Sequence, residues 1–195
     1  RHCTLAYAAK LIEMDGVYVT KLLCNSFSNA DVCWSLDDVT FGTADIYSAG
    51  NTYGTSLIGT QALVQCGAPG LRIVGDCWET QNHAKPALDL MTGSVFADVD
   101  ARFEASGEVL VRTSVEAWLR LRAKDSYSSS TNRFLRVDAS GSAYVSHSQF
   151  LLPALDGTKT GISASGACYV SSSDVKNWGV GALFASTGQF VGGSI

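Results

Sequence analysis

Of three close carboxylate pairs in this 195-residue chain, two have an i, i+2 spacing that would let them share a proton, a sugar or a cation from one strand face. Glu13-Met14-Asp15 has the E-x-D spacing found in one glycosidase strand motif, where alternating carboxylates face one sugar and divide the nucleophile and acid roles. The third carboxylate of that motif is missing, so the pair lacks its partner. Asp98-Val99-Asp100 would put two carboxylates on one strand face, where a divalent cation would still need further oxygen ligands. A solvated sheet face is therefore expected there. Asp37 and Asp38 are adjacent, and adjacent strand residues point to opposite faces, so a turn or sheet edge suits them better. Gly161-Ile162-Ser163-Ala164-Ser165 lacks the closing glycine of a nucleophile elbow. Gly179-Val180-Gly181 carries two of the three glycines of a dinucleotide loop. His2, His83 and His147 are isolated from one another along the chain. No catalytic set assembles from these pieces, and the expectation is a non-enzymatic protein with no cofactor and no metal.

Six cysteines, Cys3, Cys24, Cys33, Cys66, Cys77 and Cys168, are enough for three disulfides in an oxidising compartment. They include no C-x-x-C pair of the kind that grips a zinc ion. No asparagine stands in an Asn-x-Ser/Thr sequon, which favours reduced, buried cysteines over a secreted, disulfide-stapled chain. Arg112, Arg120, Arg122 and Lys124 share a strand parity with Trp118, a placement that suits RNA phosphates or a neighbouring subunit. The interleaved Glu104, Glu108 and Glu116 point instead to a salt-bridged sheet face. Trp118, Tyr144 and Trp178 are candidate anchors of a subunit interface. Trp34, Tyr53 and Trp78 are the candidates for stacking on sugar rings, should the chain bind carbohydrate.

The elements that must carry these groups follow from composition and period. With 46% apolar and 16% charged residues the chain is a packed protein, and a net charge of -4 gives no bulk attraction to nucleic acid or anionic lipid. No apolar run reaches the roughly 18–20 residues of a membrane helix. The opening at Arg1 shows no targeting-peptide pattern. Leu5–Met14 is rich in helix formers and is stopped by Asp15-Gly16, predicting a short N-terminal helix.

Beyond it, short runs rich in β-branched and aromatic residues alternate with Gly, Ser, Asn and Asp clusters, the pattern of an all-β fold. The clearest run is 108–122, where Val109, Val111, Thr113, Val115, Ala117, Leu119 and Leu121 share one face. The Ser-rich segment 125–132 is expected to be an exposed loop. No internal repeat is evident, and the expectation is one antiparallel two-sheet β-sandwich of jelly-roll type spanning 1–195.

From about Leu88 onward the chain resembles the jelly-roll capsid subunits of picorna-like plant viruses, particularly the small coat subunit of the comovirus and nepovirus group. The resemblance is carried by Leu90-Met-Thr-Gly-Ser-Val-Phe-Ala-Asp-Val-Asp-Ala-Arg-Phe103, Gly107-Glu-Val-Leu-Val, Glu116-Ala-Trp-Leu-Arg-Leu, Gly141-Ser-Ala-Tyr-Val and Asn177-Trp-Gly-Val-Gly-Ala-Leu-Phe-Ala. It implies a virion subunit, released from a polyprotein, that assembles with itself or sister jelly rolls around genomic RNA. The alternative expectation is an extracellular β-sandwich that binds carbohydrate or a cell-surface receptor.

Overall fold

A computed structural model describes residues 3–14, 19–36, 45–54, 62, 64–67, 70–78, 86–91, 96–103, 108–124 and 133–195. Among these, the strands of the first half are β1 (Thr4–Met14), β2 (Val19–Leu23), β3 (Ser26–Leu36), β4 (Asp45–Ala49), β5 (Thr52–Tyr53), β6 (Val64–Cys66), β7 (Gly70–Trp78) and β8 (Leu88–Leu90). Those of the second half are β9 (Phe96–Phe103), β10 (Val109–Val111), β11 (Glu116–Lys124), β12 (Arg133–Val137), β13 (Ser142–Ser146), β14 (Gln149–Ala164), β15 (Ala167–Phe184) and β16 (Gly188–Ser194).

Every pairing is parallel. Each strand lies on one that follows roughly 20–30 residues later, a solenoid repeat. The chain is thus a parallel β-solenoid, and the antiparallel jelly-roll sandwich is overturned. The two folds read alike locally because both show period-two strands broken by turn residues. They differ in what the turn does: a hairpin reverses the chain, whereas these turns bend it onto the next of three faces. The repeat is one of position, not of residue identity, and so leaves no similarity between segments of the sequence.

The first face stacks β2, β4, the start of β7, the starts of β9 and β11, then β13, the start of β15 and β16. The third face stacks the end of β1, the end of β3, then β6, β8, β10, β12 and the later parts of β14 and β15. The short second face lies between them. Inward residues align in columns: Trp34, Val64, Leu88, Val109, Leu135 and Ile162 pair in turn and are all fully buried. Ile73, Val99, Leu119, Val145 and Val170 do the same on the first face.

Two expectations change in detail. The predicted helix Leu5–Met14 is strand β1, parallel to β3 from Thr4↔Ser26 to Met14↔Leu36. Docking on a neighbouring coil, with Met14 buried and Leu5, Leu11 and Ile12 packed on the core, overrides helix propensity. The run 108–122 keeps its alternation only from Val115 onward: Glu108 to Val111 are all buried and Thr113, expected on the core face, is exposed. Ser114 (φ 66°) turns the chain from the third face to the first and divides the run into two strands.

Corners interrupt the ladder, and polar side chains repair it. Between the first and second faces Cys24, Gly50, Gly75, His147, Ser172 and Gly192 all take positive φ. The residue after each of the first five is Asn25, Asn51, Asp76, Ser148 or Ser173. Asn25 donates from its backbone N–H and its amide to Asn51 Oδ1 at 2.9 and 3.1 Å. Asn51 N–H donates to Asp76 Oδ1 at 2.9 Å, and Ser48 Oγ and Tyr53 OH donate to Oδ2. Trp34 Nε1 donates in turn to Tyr53 OH at 2.8 Å. Higher up, Ser148 Oγ accepts from Leu121 N–H at 2.8 Å and Ser173 Oγ accepts from Ser148 N–H at 3.1 Å.

Burial pushes the Asp76 carboxyl above its ordinary 3.8, against the hydrogen bonds from Ser48, Asn51 and Tyr53. A raised folded-state value means the native state holds the proton more tightly than the unfolded chain. This group's stabilisation is therefore full below the unfolded value and lost as pH rises through the folded one. In urea unfolding at a series of pH values from about 4 to about 8, the wild-type midpoint should fall with rising pH relative to that of Asp76→Asn. Parallel profiles would contradict the account.

The corner leading into the first face is tight for a different reason. A Cβ on Gly166 would run into the carbonyl oxygens of Gly141 and Asp138, and one on Gly141 would lie 2.7 Å from Arg112 O. Gly166→Ala should cost about 1–3 kcal/mol. Gly157→Ala, where an added Cβ meets nothing within 4 Å, should stay within about 0.5 kcal/mol; thermal denaturation of both variants measures the contrast.

Candidate functional site

Parallel pairing without a register shift brings like positions of successive coils into line on the outside as well as the inside. On the outer side of the first face Arg72, Asp98, Trp118, Tyr144, Tyr169 and Gln189 follow one another as Cα partners. Trp118 and Tyr144 stack with ring centroids 5.0 Å apart, and Tyr144 and Tyr169 at 5.3 Å. That spacing is close to the ~4.8 Å between strands, so the rings lie coil upon coil and turn their edges outward. Trp118 and Tyr144 are 37% and 36% exposed, unusual for large aromatics of a packed protein.

Two residues further along each strand stands a parallel file of shorter side chains, Ser146, Ser171 and Val191, with the longer Arg120 at the same position of β11. Tall rings beside short serines make a groove. Its upper part, about 200 Å³, has Trp118, Tyr144 and Tyr169 as one wall, Ser146 and Ser171 beside them, and Gln189 at the far end. Its lower part, about 300 Å³, is lined by Asp98, Trp118, Leu119, Arg120 and Ser146. From β9 to β16 the groove runs parallel to the solenoid axis for about 19 Å, at ~4.8 Å per strand.

Below the rings the face is ionic. Arg120 lies 3.6 Å from Asp98 and 3.9 Å from Asp100, and Arg72 lies 3.9 Å from Asp98. Only Arg122 closes to a hydrogen bond, 2.9 Å from Asp100 Oδ1. This half-exposed lattice contributes little to stability, but it sets hydrogen-bond donors beside acceptors at the mouth of the groove.

No family model, curated protein or solved structure matches the chain. The site is therefore read from its own geometry.

Several residues singled out in the sequence lie elsewhere. Trp34, Tyr53 and Trp78 are wholly buried, with Tyr53 stacked between Phe27 and Trp78 at 5.2 and 4.5 Å. They serve the core, not a sugar, because the polar corner they line faces inward. Trp178, expected at an interface, is also buried and donates from Nε1 to Phe150 O at 2.8 Å. Of the expected anchors, Trp118 and Tyr144 are the two that stand outside. Tyr169 and Ser146 went unnoticed, although Tyr144 and Tyr169 are separated by one repeat and so signal a shared column.

The basic group splits. Arg112 sits at a corner, where Nε and Nη2 both bond Asp89 at 2.9 Å, while Arg120 and Arg122 face Asp98 and Asp100. Lys124 closes β11, and its side chain lies outside the described residues, as do Asp15, Asp37, Asp38, His2 and His83. His147 is a corner residue between the first and second faces with φ 48°, and Ser163 is on the third face. Among the described residues no three His, Cys, Asp or Glu side chains converge as metal ligands.

All six cysteines are thiols, none of them joined in a disulfide. Cys33, Cys66, Cys77 and Cys168 are buried, and burial pushes Cys33 and Cys168 up to about 12, which suppresses the reactive thiolate. Cys3 and Cys24 are exposed. Titration with an aromatic disulfide reagent should therefore label Cys3 and Cys24 in the native protein, and the other four only after denaturation.

Proposed function

We propose that this chain is a non-enzymatic binding protein that holds an extended, hydroxyl-bearing polymer, a polysaccharide, along the outer groove of the first face. The observation that carries this reading is the aromatic wall of Trp118, Tyr144 and Tyr169 running alongside Ser146 and Ser171. Ring edges give apolar contact to the C–H surfaces of a sugar chain, while hydroxyl and amide groups beside them give and accept hydrogen bonds. A straight groove across several coils suits a linear polymer better than a compact ligand, and an extracellular setting accords with such a ligand. The ion-paired Asp98 and Asp100 serve this reading as hydroxyl acceptors.

A capsid role was inferred from a jelly roll, and the parallel solenoid removes that premise. RNA is also poorly served, since Arg112, Arg120 and Arg122 each face carboxylates.

Affinity electrophoresis through gels containing a panel of soluble polysaccharides tests the proposal. At least one polymer should retard the wild type, and Trp118→Ala or Tyr144→Ala should weaken that binding about tenfold or more, ~1.4 kcal/mol. Leu155→Ala, at an exposed apolar residue that does not line the groove, should leave it unchanged. No retardation by any polymer, or equal retardation of all variants, would overturn it.

A further inference from the structure

The lower end of the groove is chemically distinct from the rest, and it narrows the kind of sugar that fits. Resting on the polysaccharide reading, we infer that the hollow beside Trp118 is a subsite for an uncharged sugar ring, two of whose hydroxyls are taken by Asp98 while Arg120 donates to a further oxygen. The hollow is bounded by Asp98, Trp118, Leu119, Arg120 and Ser146. Trp118 supplies the apolar wall. Ser146 supplies a hydroxyl that both donates and accepts.

Charge decides the class of ligand. Asp98 is an acceptor-only carboxylate, and the guanidinium groups of Arg72 and Arg120 stand 3.9 and 3.6 Å from it, too far for a hydrogen bond. Arg122 is different, being hydrogen-bonded to Asp100 at 2.9 Å. The hollow thus presents an ionised acceptor and a nearby ionised donor that do not close on each other. A neutral hydroxyl is both donor and acceptor, so neighbouring hydroxyls on one ring satisfy both groups at once. A carboxylate-bearing or sulfated sugar that pairs its anion with Arg72 or Arg120 leaves the Asp98 carboxylate beside that anion, and an amino sugar that pairs its cation with Asp98 leaves the two guanidinium groups beside that cation. Each matches one charge of the hollow at the expense of the other, whereas neighbouring hydroxyls match both.

Isothermal titration of the wild type with three uncharged polymers (hydroxyethyl cellulose, galactomannan and dextran) and two anionic ones (polygalacturonate and alginate) tests this. Tyr144→Ala and Asp98→Asn are titrated beside it, with circular dichroism confirming that each variant is folded. At least one uncharged polymer should bind at least tenfold more tightly than either anionic polymer. Asp98→Asn, which replaces an acceptor oxygen by a donor, should weaken that binding tenfold or more, as should Tyr144→Ala.

If Tyr144→Ala weakens binding but Asp98→Asn does not, the subsite assignment is wrong and the groove stands. A preference for either anionic polymer, which needs no variant to detect, overturns the subsite in the same way. If no polymer binds, both readings fall.

Discussion

The hydrogen bonds that converge on the Asp76 carboxylate tie successive coils together at the corner where the backbone N–H of Asn51 turns from a carbonyl to a side chain. Positive φ at Cys24, Gly50 and Gly75 turns the chain from one face to the next. Cys24 and Gly50 still donate backbone N–H to Ala49 O and Val74 O, but the N–H groups of Asn25 and Asn51 that follow them go to side chains. The side chains of Asn51 and Asp76 accept those two N–H groups in turn, and Ser48 and Tyr53 also close on Asp76. A buried carboxylate is costly unless donors surround it. Here those donors come from the coil beneath, so the cost is offset only when the coils are in register. That dependence makes the polar corner a register lock for the coils it joins, from β2 to β7.

The aromatic wall follows from register further along the solenoid. Coil-on-coil stacking puts Ile73, Val99 and Leu119 in line inside the solenoid and Trp118, Tyr144 and Tyr169 in line outside it. Inside, the file is stabilised by exclusion of water. Outside, ring stacking restrains side chains that would otherwise sample several rotamers, so the wall of the groove is ordered before anything enters it. A preorganised wall loses less conformational entropy on contact with a ligand than a flexible one. The ionic lattice of Arg72, Asp98, Arg120, Asp100 and Arg122 extends that order to the lower end.

Much of the local structure was legible in the sequence, and the direction of the chain was not. Alternation from 115 to 122 correctly separates Val115, Ala117, Leu119 and Leu121 from Trp118, Arg120 and Arg122, because side-chain period is a property of any strand, whereas the corner at Ser114 breaks it, leaving Glu108 buried and Thr113 exposed. Parallel and antiparallel neighbours share that period, so it carries no information on which strand comes alongside. The informative signal was a corner pair, a left-handed residue followed by a small polar one: Cys24-Asn25, Gly50-Asn51, Gly75-Asp76, His147-Ser148 and Ser172-Ser173. Its members differ in identity and share only a backbone requirement, which hides the repeat from a search for similar residues. The same blindness misplaced the sugar-stacking aromatics. Trp34, Tyr53 and Trp78 look like Trp118 and Tyr144 in sequence, and only the solenoid tells inside from outside.

Each coil of this solenoid pairs with the coil before it and the coil after it, at separations of roughly 20–30 residues. The entropy lost in closing a loop grows with the logarithm of its length, so a coil added at either end pays the same closure cost as one in the middle. In a sandwich with Greek-key connections, distant segments must find one another, and the search lengthens with the chain. Here the nucleation problem is local: once a pair of coils has formed, each further coil grows on a finished template, and the rate-determining event is set by the first closure rather than by total length.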